Sequence, residues 1–216
     1  MILKQLKIKS IIDDIVTNCY IIVDEETKET VVIDPGGEDD KVIELLDILE
    51  AKLKYIYLTH CHGDHIGAVE EIKCKKGGKI LIHSEDYDGL KNPEINLTGF
   101  LSSEKVSIEA DSRVNDGDII HIGNIEFKVI HTPGHTKGGS SLYCDEEKMV
   151  FSGDTIFKEM WGRTDLPTGS FEDIIKSISN RLLVLPDDTI IYPGHGTSTK
   201  VIEEEPIYYN LLPGKD

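Results

Sequence analysis

This sequence predicts a layered α/β fold with its chemistry collected along one sheet edge, and three observations predict it. Short runs rich in β-branched and aromatic residues alternate with a stretch of amphipathic, helix-like periodicity. Four of those runs end in loops carrying His or Asp, as expected where ligand-binding loops gather at strand ends. The densest loop, Thr59-His60-Cys61-His62-Gly63-Asp64-His65, packs three histidines and a carboxylate into seven positions.

Taken in order, residues 1–9 (MILKQLKIK) space lysines among apolar residues as an edge strand does, without the uninterrupted apolar core of a signal peptide. Residues 19–23 and 30–33 read as a strand pair, joined by a charged turn at 24–29 and closed by Asp34-Pro35-Gly36-Gly37. Over 38–53, Val42, Ile43, Leu45, Leu46, Ile48 and Leu49 suit an amphipathic helix. Residues 54–58 (KYIYL) form the strand that delivers the ligand-rich loop, and apolar periodicity resumes at Ile66, Ala68, Val69 and Ile72 as a helix. Residues 79–82 make another strand and 92–99 an irregular loop. In the second half, 118–122 and 125–130 flank Gly123-Asn124 as a hairpin. Strand 125–130 runs into His131-Thr132-Pro133-Gly134-His135-Thr136, strand 149–151 into Ser152-Gly153-Asp154-Thr155, and strand 189–192 into Pro193-Gly194-His195-Gly196. No linker or low-complexity tract divides residues 1–216, which read as one domain, with internal duplication open because the second half repeats the style of the first.

Composition narrows the function. A chain of 216 residues with 39% hydrophobic content can build a full core unaided. Its 23 basic against 40 acidic residues, a net of −17, disfavour nucleic acid as a partner, because such binding rests on neutralising phosphates. No segment approaches membrane-spanning length. The four cysteines, Cys19, Cys61, Cys74 and Cys144, show no paired CxxC spacing, so a reducing cytoplasm is the expected location.

The strand-end groups point to metal. Packing alone gives no reason to crowd imidazoles and carboxylates, which repel as they charge and want polar partners. In an extended backbone residues two apart point the same way, so His60 and His62 can share an ion while Cys61 alternates away as a buried thiol. Asp64 and His65, beyond the turn at Gly63, are free to face a second ion. With His135, Asp154 and His195, the donors His60, His62, Asp64 and His65 suffice for two adjacent divalent ions. A donor set without thiolate suits zinc, and leaves iron and manganese open.

At these residues the chain resembles the metallo-β-lactamase superfamily. The HxHxDH signature is matched by His60-Cys61-His62-Gly63-Asp64-His65, and the later ligands by His135, Asp154 and His195. The resemblance implies a four-layer αββα sandwich, a first ion on His60, His62 and His135, a second on Asp64, His65 and His195, and a bridging Asp154. Asp64 and Asp154 are then the carboxylates expected in catalysis. Within the superfamily, Thr132–Thr136, Ser152–Thr155, Gly162-Arg163-Thr164-Asp165 and 193–196 look like the glyoxalase II group, hydrolases of hydroxyacylglutathione thioesters, with its short bacterial members nearest in kind. Full-length members carry a helical C-terminal extension with glutathione contacts, whereas only residues 197–216 follow the last ligand here.

The implied activity is thioester hydrolysis by water activated at the ions, on a small-molecule substrate such as S-lactoylglutathione. A thiol of pKa about 8.5 leaves without an acid to assist it, whereas an amide nitrogen does not. The dominant binuclear β-lactamases carry cysteine where this chain has Asp154, which points away from lactams. Persulfide dioxygenases, which use a single iron and share a GRTD-like segment, are the main alternative, and lactone hydrolysis is another. Related tRNA-processing nucleases share the local HGDH pattern, but the acidic balance opposes them. Arg163 and Asp165 are expected to brace their loop as an ion pair, His83 and His131 to be hydrogen-bonded, and Lys137 to be solvated. His121 has no special context.

Overall fold

The computed structural model describes residues 1–12 and 15–208. Its first half builds one six-stranded sheet from β1 (Ile2–Lys9), β2 (Val16–Val23), β3 (Glu29–Ile33), β4 (Lys52–Leu58), β5 (Lys79–His83) and β6 (Ser112–Val114), paired in that order. The first two pairings are antiparallel and the last three parallel. Parallel pairing needs crossovers, and helix α1 (Asp39–Ile48) supplies that between β3 and β4. The short α2 (Gly63–Ile66) and α3 (Val69–Lys76) lead from β4 to β5, followed by the single turns α4 (Tyr87–Leu90) and α5 (Thr98–Leu101).

The second half builds the other sheet. Its strands are β7 (Ile119–Ile122), β8 (Ile125–His131), β9 (Ser140–Cys144), β10 (Met149–Gly153), β13 (Ile190–Pro193) and β14 (Thr199–Lys200), in the order β14-β13-β10-β9-β8-β7. Between β10 and β13 lie a separate two-stranded hairpin, β11 (Ile156–Phe157) and β12 (Met160–Trp161), and helix α6 (Phe171–Ser177), while α7 (Val201–Tyr208) follows β14.

Alternation along the strands explains the layering. In β2, Cys19, Ile21 and Val23 face α1 and α3 with Ile56, Val42 and Ile72, whereas Tyr20 and Ile22 face the other sheet. In β10, Met149 and Phe151 meet Tyr20, Tyr57 and Phe127 between the sheets, and Val150 packs outward with Ile174, Ile178 and Val201. Both faces of the central strands are buried, so these strands read as continuous apolar runs. Two sheets with helices on their outer faces make the expected αββα sandwich.

Both helices expected from the sequence have different bounds in the structure. The helix expected over 38–53 stops at Ile48, because Glu50 takes a left-handed φ of 51° and the chain enters β4 at Lys52. The helix expected to begin at Ile66 is two pieces that break at Gly67 and Ala68.

Candidate metal centre

All the strand-end groups converge. Beyond β4 the chain stays extended through His62 (φ −68°, ψ 148°), then turns into α2, so His60 and His62 project together while Asp64 and His65 leave from the helical turn. Cys61 points away, fully buried, with its thiol pKa pushed up by burial. His135 follows β8, Asp154 follows β10 and His195 follows β13, so the second sheet supplies the opposite side. Close backbone approach is needed here, and glycine permits it. A Cβ on Gly36 would lie 1.7 Å from the Asp64 carbonyl oxygen, and one on Gly194 2.3 Å from Asp154 Oδ1.

Two triads result. Donor atoms of His60, His62 and His135 lie within 4.8 Å of one another, as do those of Asp64, His65 and His195. Asp154 spans them, 3.6 Å from His135 Nε2 and 3.4 Å from both His65 Nε2 and His195 Nε2. Asp34, His60 and His65 satisfy the same distance test. Asp34 Oδ2, however, already accepts from Thr59 Oγ1 at 2.6 Å and His65 Nδ1 at 2.9 Å, which makes it a support behind the ligands.

Hydrogen bonds fix which ring nitrogens are bare. His135 Nδ1 donates to the Arg163 carbonyl at 2.7 Å, His195 Nδ1 to the Val16 carbonyl at 2.8 Å, and His65 Nδ1 to Asp34. Thr59 spends its hydroxyl proton on Asp34, so its oxygen accepts from His60 Nδ1 at 3.1 Å. Each of these four imidazoles, when neutral, presents Nε2 as a lone pair to the cluster. His65 Nε2 and His195 Nε2 stand 3.2 Å apart, and Asp64 Oδ2 is 3.2 Å from the latter. His60 Nε2, His62 Nε2 and Asp154 Oδ1 are buried without any partner. His62 Nδ1 donates to His135 Nε2 at 2.9 Å, but the acceptors left over stay crowded and unpartnered, which costs free energy unless a cation fills the space, so the residues fit divalent metal.

The electrostatics agree. Burial drives His60 far toward its neutral form and takes His62 to about 3, with neighbouring imidazoles adding to both. Burial disfavours the Asp154 carboxylate, yet His195 and His65 outweigh it and hold its pKa far below the ordinary range. Asp64 is lowered too, burial being outweighed by His65 and the hydrogen bond from His195. Burial also opposes the imidazolium forms of His65 and His195, but the surrounding carboxylates lift them to about 9 and about 11. Protons are thus drawn to the second triad, where positive charge is wanted.

Other residues take supporting places. Asp34, seen in the sequence only as part of a closing turn, sets the tautomers of His60 and His65, one from each triad. It ends β3 beside the ligand strand, so the strand-end rule that found the others also applies to it. Asp86 was missed as well: buried, it accepts from Cys61 N at 3.1 Å, Thr136 Oγ1 at 2.7 Å and Gly138 N at 2.8 Å, clasping the two loops that carry the first triad. Arg163 and Asp165 form a bidentate pair at 2.8 Å, both exposed. His83 and His131 stay out of the cluster and stack on each other at 4.0 Å, His131 Nε2 also meeting the Lys137 carbonyl at 2.9 Å. His121 is exposed on β7.

In front of the cluster opens a cleft of about 780 Å³. Its floor is His62, Asp64, His135, Asp154 and His195, and its walls are largely apolar, from Ile12, Ile15, Leu97, Leu101, Phe157, Met160, Trp161 and Leu166. Among the described residues no helix is long and apolar enough to cross a membrane.

Comparison with known proteins gives concordant likenesses. The family model of the metallo-beta-lactamase superfamily matches residues 12–195. The hydroxyacylglutathione hydrolase GloC of Haemophilus influenzae is 36% identical over 197 residues, covering 87% of this chain and 89% of its own. Among solved structures, the B3 metallo-beta-lactamase BLEG-1 superposes with a TM-score of 0.88 at 34% identity, covering 95% of this chain and 97% of its own. ETHE1 from Myxococcus xanthus reaches 0.77 at 28% identity, with coverage of 99% and 93%. TTHA1623, solved in a di-iron-bound form, reaches 0.78 at 30% identity, with coverage of 93% and 96%.

Proposed function

The chain belongs to the metallo-beta-lactamase superfamily, and from that premise we propose that it is a hydrolase of hydroxyacyl thioesters working with two divalent ions, zinc in the first instance. His60, His62 and His135 would hold one ion, Asp64, His65 and His195 the other, and Asp154 both. The observation that carries the reading is the buried cluster of five imidazoles and two ionised carboxylates at the base of an apolar cleft, with His60 Nε2, His62 Nε2 and Asp154 Oδ1 left without partners. Ions bound there supply Lewis acidity and lower the pKa of bound water toward neutrality.

The chain's own groups do the rest. Asp34, directly for His65 and through Thr59 for His60, and the Arg163 and Val16 carbonyls orient four imidazoles so that Nε2 is the nitrogen each would turn to an ion. Asp64 and Asp154 stay ionised and so cannot protonate a leaving group. That matches a thiolate, which departs unprotonated, better than an amine. The apolar walls exclude water and strengthen the electrostatics of the floor. Likeness to GloC supports the thioester.

A second reading, a mononuclear-iron persulfide dioxygenase, is favoured by likeness to ETHE1. Elemental analysis, hydrolysis of S-lactoylglutathione and oxygen uptake with glutathione persulfide, all on one preparation, separate the two. Two ions per chain with thioester cleavage is the expected result. One iron with oxygen consumption makes it the dioxygenase, and cleavage of a β-lactam alone sides with the likeness to BLEG-1.

A further inference from the structure

We propose that the substrate of this site presents its reactive carbonyl on an uncharged, apolar arm laid against the β11–β12 hairpin, and is not recognised through carboxylates of its carrier. This rests on the hydrolase reading above and narrows its substrate class. A carbonyl that reaches the cluster must send its substituents out through the cleft, so the cleft walls form the recognition surface. Phe157 packs against the cluster, its ring centroid 6.0 Å from that of His195. Trp161 and Met160 of the same hairpin line the cleft too, with Leu97 and Leu101.

The hairpin is built to hold that surface still. Trp161 packs against Phe171 of α6 at 5.9 Å and Tyr208 of α7 at 6.0 Å. The Glu159 amide donates to Glu204 Oε2 at 2.9 Å, and the fully buried Glu204 also accepts from Thr199 Oγ1 at 2.7 Å. Braced this way, Met160 remains 62% exposed, and Leu101 at the end of α5 is 49% exposed. Large apolar side chains fixed in water around a cleft mark a binding surface, and the unbranched thioether of Met160 adapts to arms of different length.

Charge argues the same way. The cations in the lining are Lys158 and Arg163, and Arg163 is already forked onto Asp165. Lys158 makes no ion pair among the described residues, and its chain neighbour is Glu159. A glutathione carrier brings two carboxylates to a chain of net charge −17 and, among the described lining residues, meets one ammonium outside an ion pair.

Trp161 is the chain's single tryptophan, so its fluorescence reports on the cleft directly. Butyl, hexyl and octyl S-alkyl thioethers of N-acetylcysteamine, and S-methylglutathione, are titrated into the metal-replete protein. The expected result is a saturable change with Kd falling about fourfold per methylene, and S-methylglutathione binding at least about tenfold more weakly than the octyl compound. Met160→Ser and Leu101→Ser, at exposed positions, should flatten the slope at unchanged Tm. A Kd independent of alkyl length, or tighter binding of S-methylglutathione, overturns the proposal. Hydrolysis of S-lactoylglutathione and of S-octanoyl-N-acetylcysteamine on the same preparation keeps the two readings apart. Preference for the octanoyl thioester supports the inference, and preference for S-lactoylglutathione with a flat slope sinks it while leaving the thioesterase reading intact. Cleavage of neither, with the slope retained, sinks the thioesterase reading and leaves the apolar arm standing.

Discussion

Replacing Asp34 by its isosteric amide tests the arrangement behind the ligands. Asp34 accepts three hydrogen bonds, from Thr59 N at 2.8 Å, Thr59 Oγ1 at 2.6 Å and His65 Nδ1 at 2.9 Å. In Asp34→Asn the carbonyl oxygen can keep the first, but the nitrogen replacing Oδ2 carries two protons and faces two donors. Relief comes if both partners turn into acceptors. The Thr59 hydroxyl then donates to His60 Nδ1, and the ring protons of His60 and His65 move to Nε2, into the metal cluster. The hydrogen-bond count survives, so the metal-free fold loses only the difference between charge-assisted and neutral bonds, about 1–2 kcal/mol, or roughly 2–8 °C in Tm for a chain of this size. Ion binding suffers more, because each triad must return a tautomer to its strained form. Outer partners of metal-bound histidines are worth about 10–100-fold in affinity, and here one carboxylate serves both triads. Zinc affinity by chelator competition should therefore fall about 10–100-fold at each of two sites, with ¹⁵N NMR showing His60 and His65 without a proton on Nδ1 in the metal-free variant. Two ions bound within twofold of the parent affinity, or weakening at one site alone, would refute the reasoning.

Four further outcomes follow from the same geometry. Asp154→Ala should release both ions, and a variant retaining two per chain by elemental analysis ends the bridging assignment. His195→Ala should chiefly weaken the second site, visible as loss of one ion at limiting zinc. Gly194→Ala forces a Cβ to within 2.3 Å of Asp154 Oδ1 and 2.6 Å of His65 Cε1, which should cost about 1–3 kcal/mol and much of the second site's affinity. In the metal-free protein, His65 at about 9 and His195 at about 11 exceed their ordinary value of 6.5. Their protonation stabilises the fold fully below about 6.5, and this is lost as pH rises through 9 toward 11. His60 and His62 are displaced the other way and cost stability as pH falls below about 6.5. Metal-free Tm should accordingly peak near that pH, whereas zinc affinity should only decline on acidification, as protons compete for the ligands. A metal-free Tm that rises steadily from pH 6.5 to 9 contradicts the assigned proton sites.

Much of this was legible from residue order. Long apolar runs located β2, β4, β8 and β10, and the rule that chemistry sits at strand ends brought together all of His60, His62, Asp64, His65, His135, Asp154 and His195. Asp34 is hidden from that rule because Asp-Pro-Gly-Gly also satisfies every requirement of a plain turn. Asp86 carries no local signal, since its partners are Cys61, Thr136 and Gly138 from distant segments. The β11–β12 hairpin has two residues per strand, too few for any period to show, and α6 and α7 are short. Spacing likewise could not say that His83 and His131 would find each other instead of the metals.

The division of ligands between the sheets has a mechanical meaning. Each triad draws two members from the end of β4 and one from the opposite sheet, His135 or His195. An ion in either place is thus a staple across the sandwich, linking residues 73 apart in one case and 130 apart in the other. In the chain-entropy account a crosslink closing loops of that length restricts the unfolded chain by about 4–5 kcal/mol, and the two overlap without adding in full. Peeling the sheets apart means surrendering a ligand first, so opening waits on metal release. A chelator should therefore act on this fold as a reductant acts on a disulfide-bonded one, and the resting metal supply sets how long the sandwich stays shut.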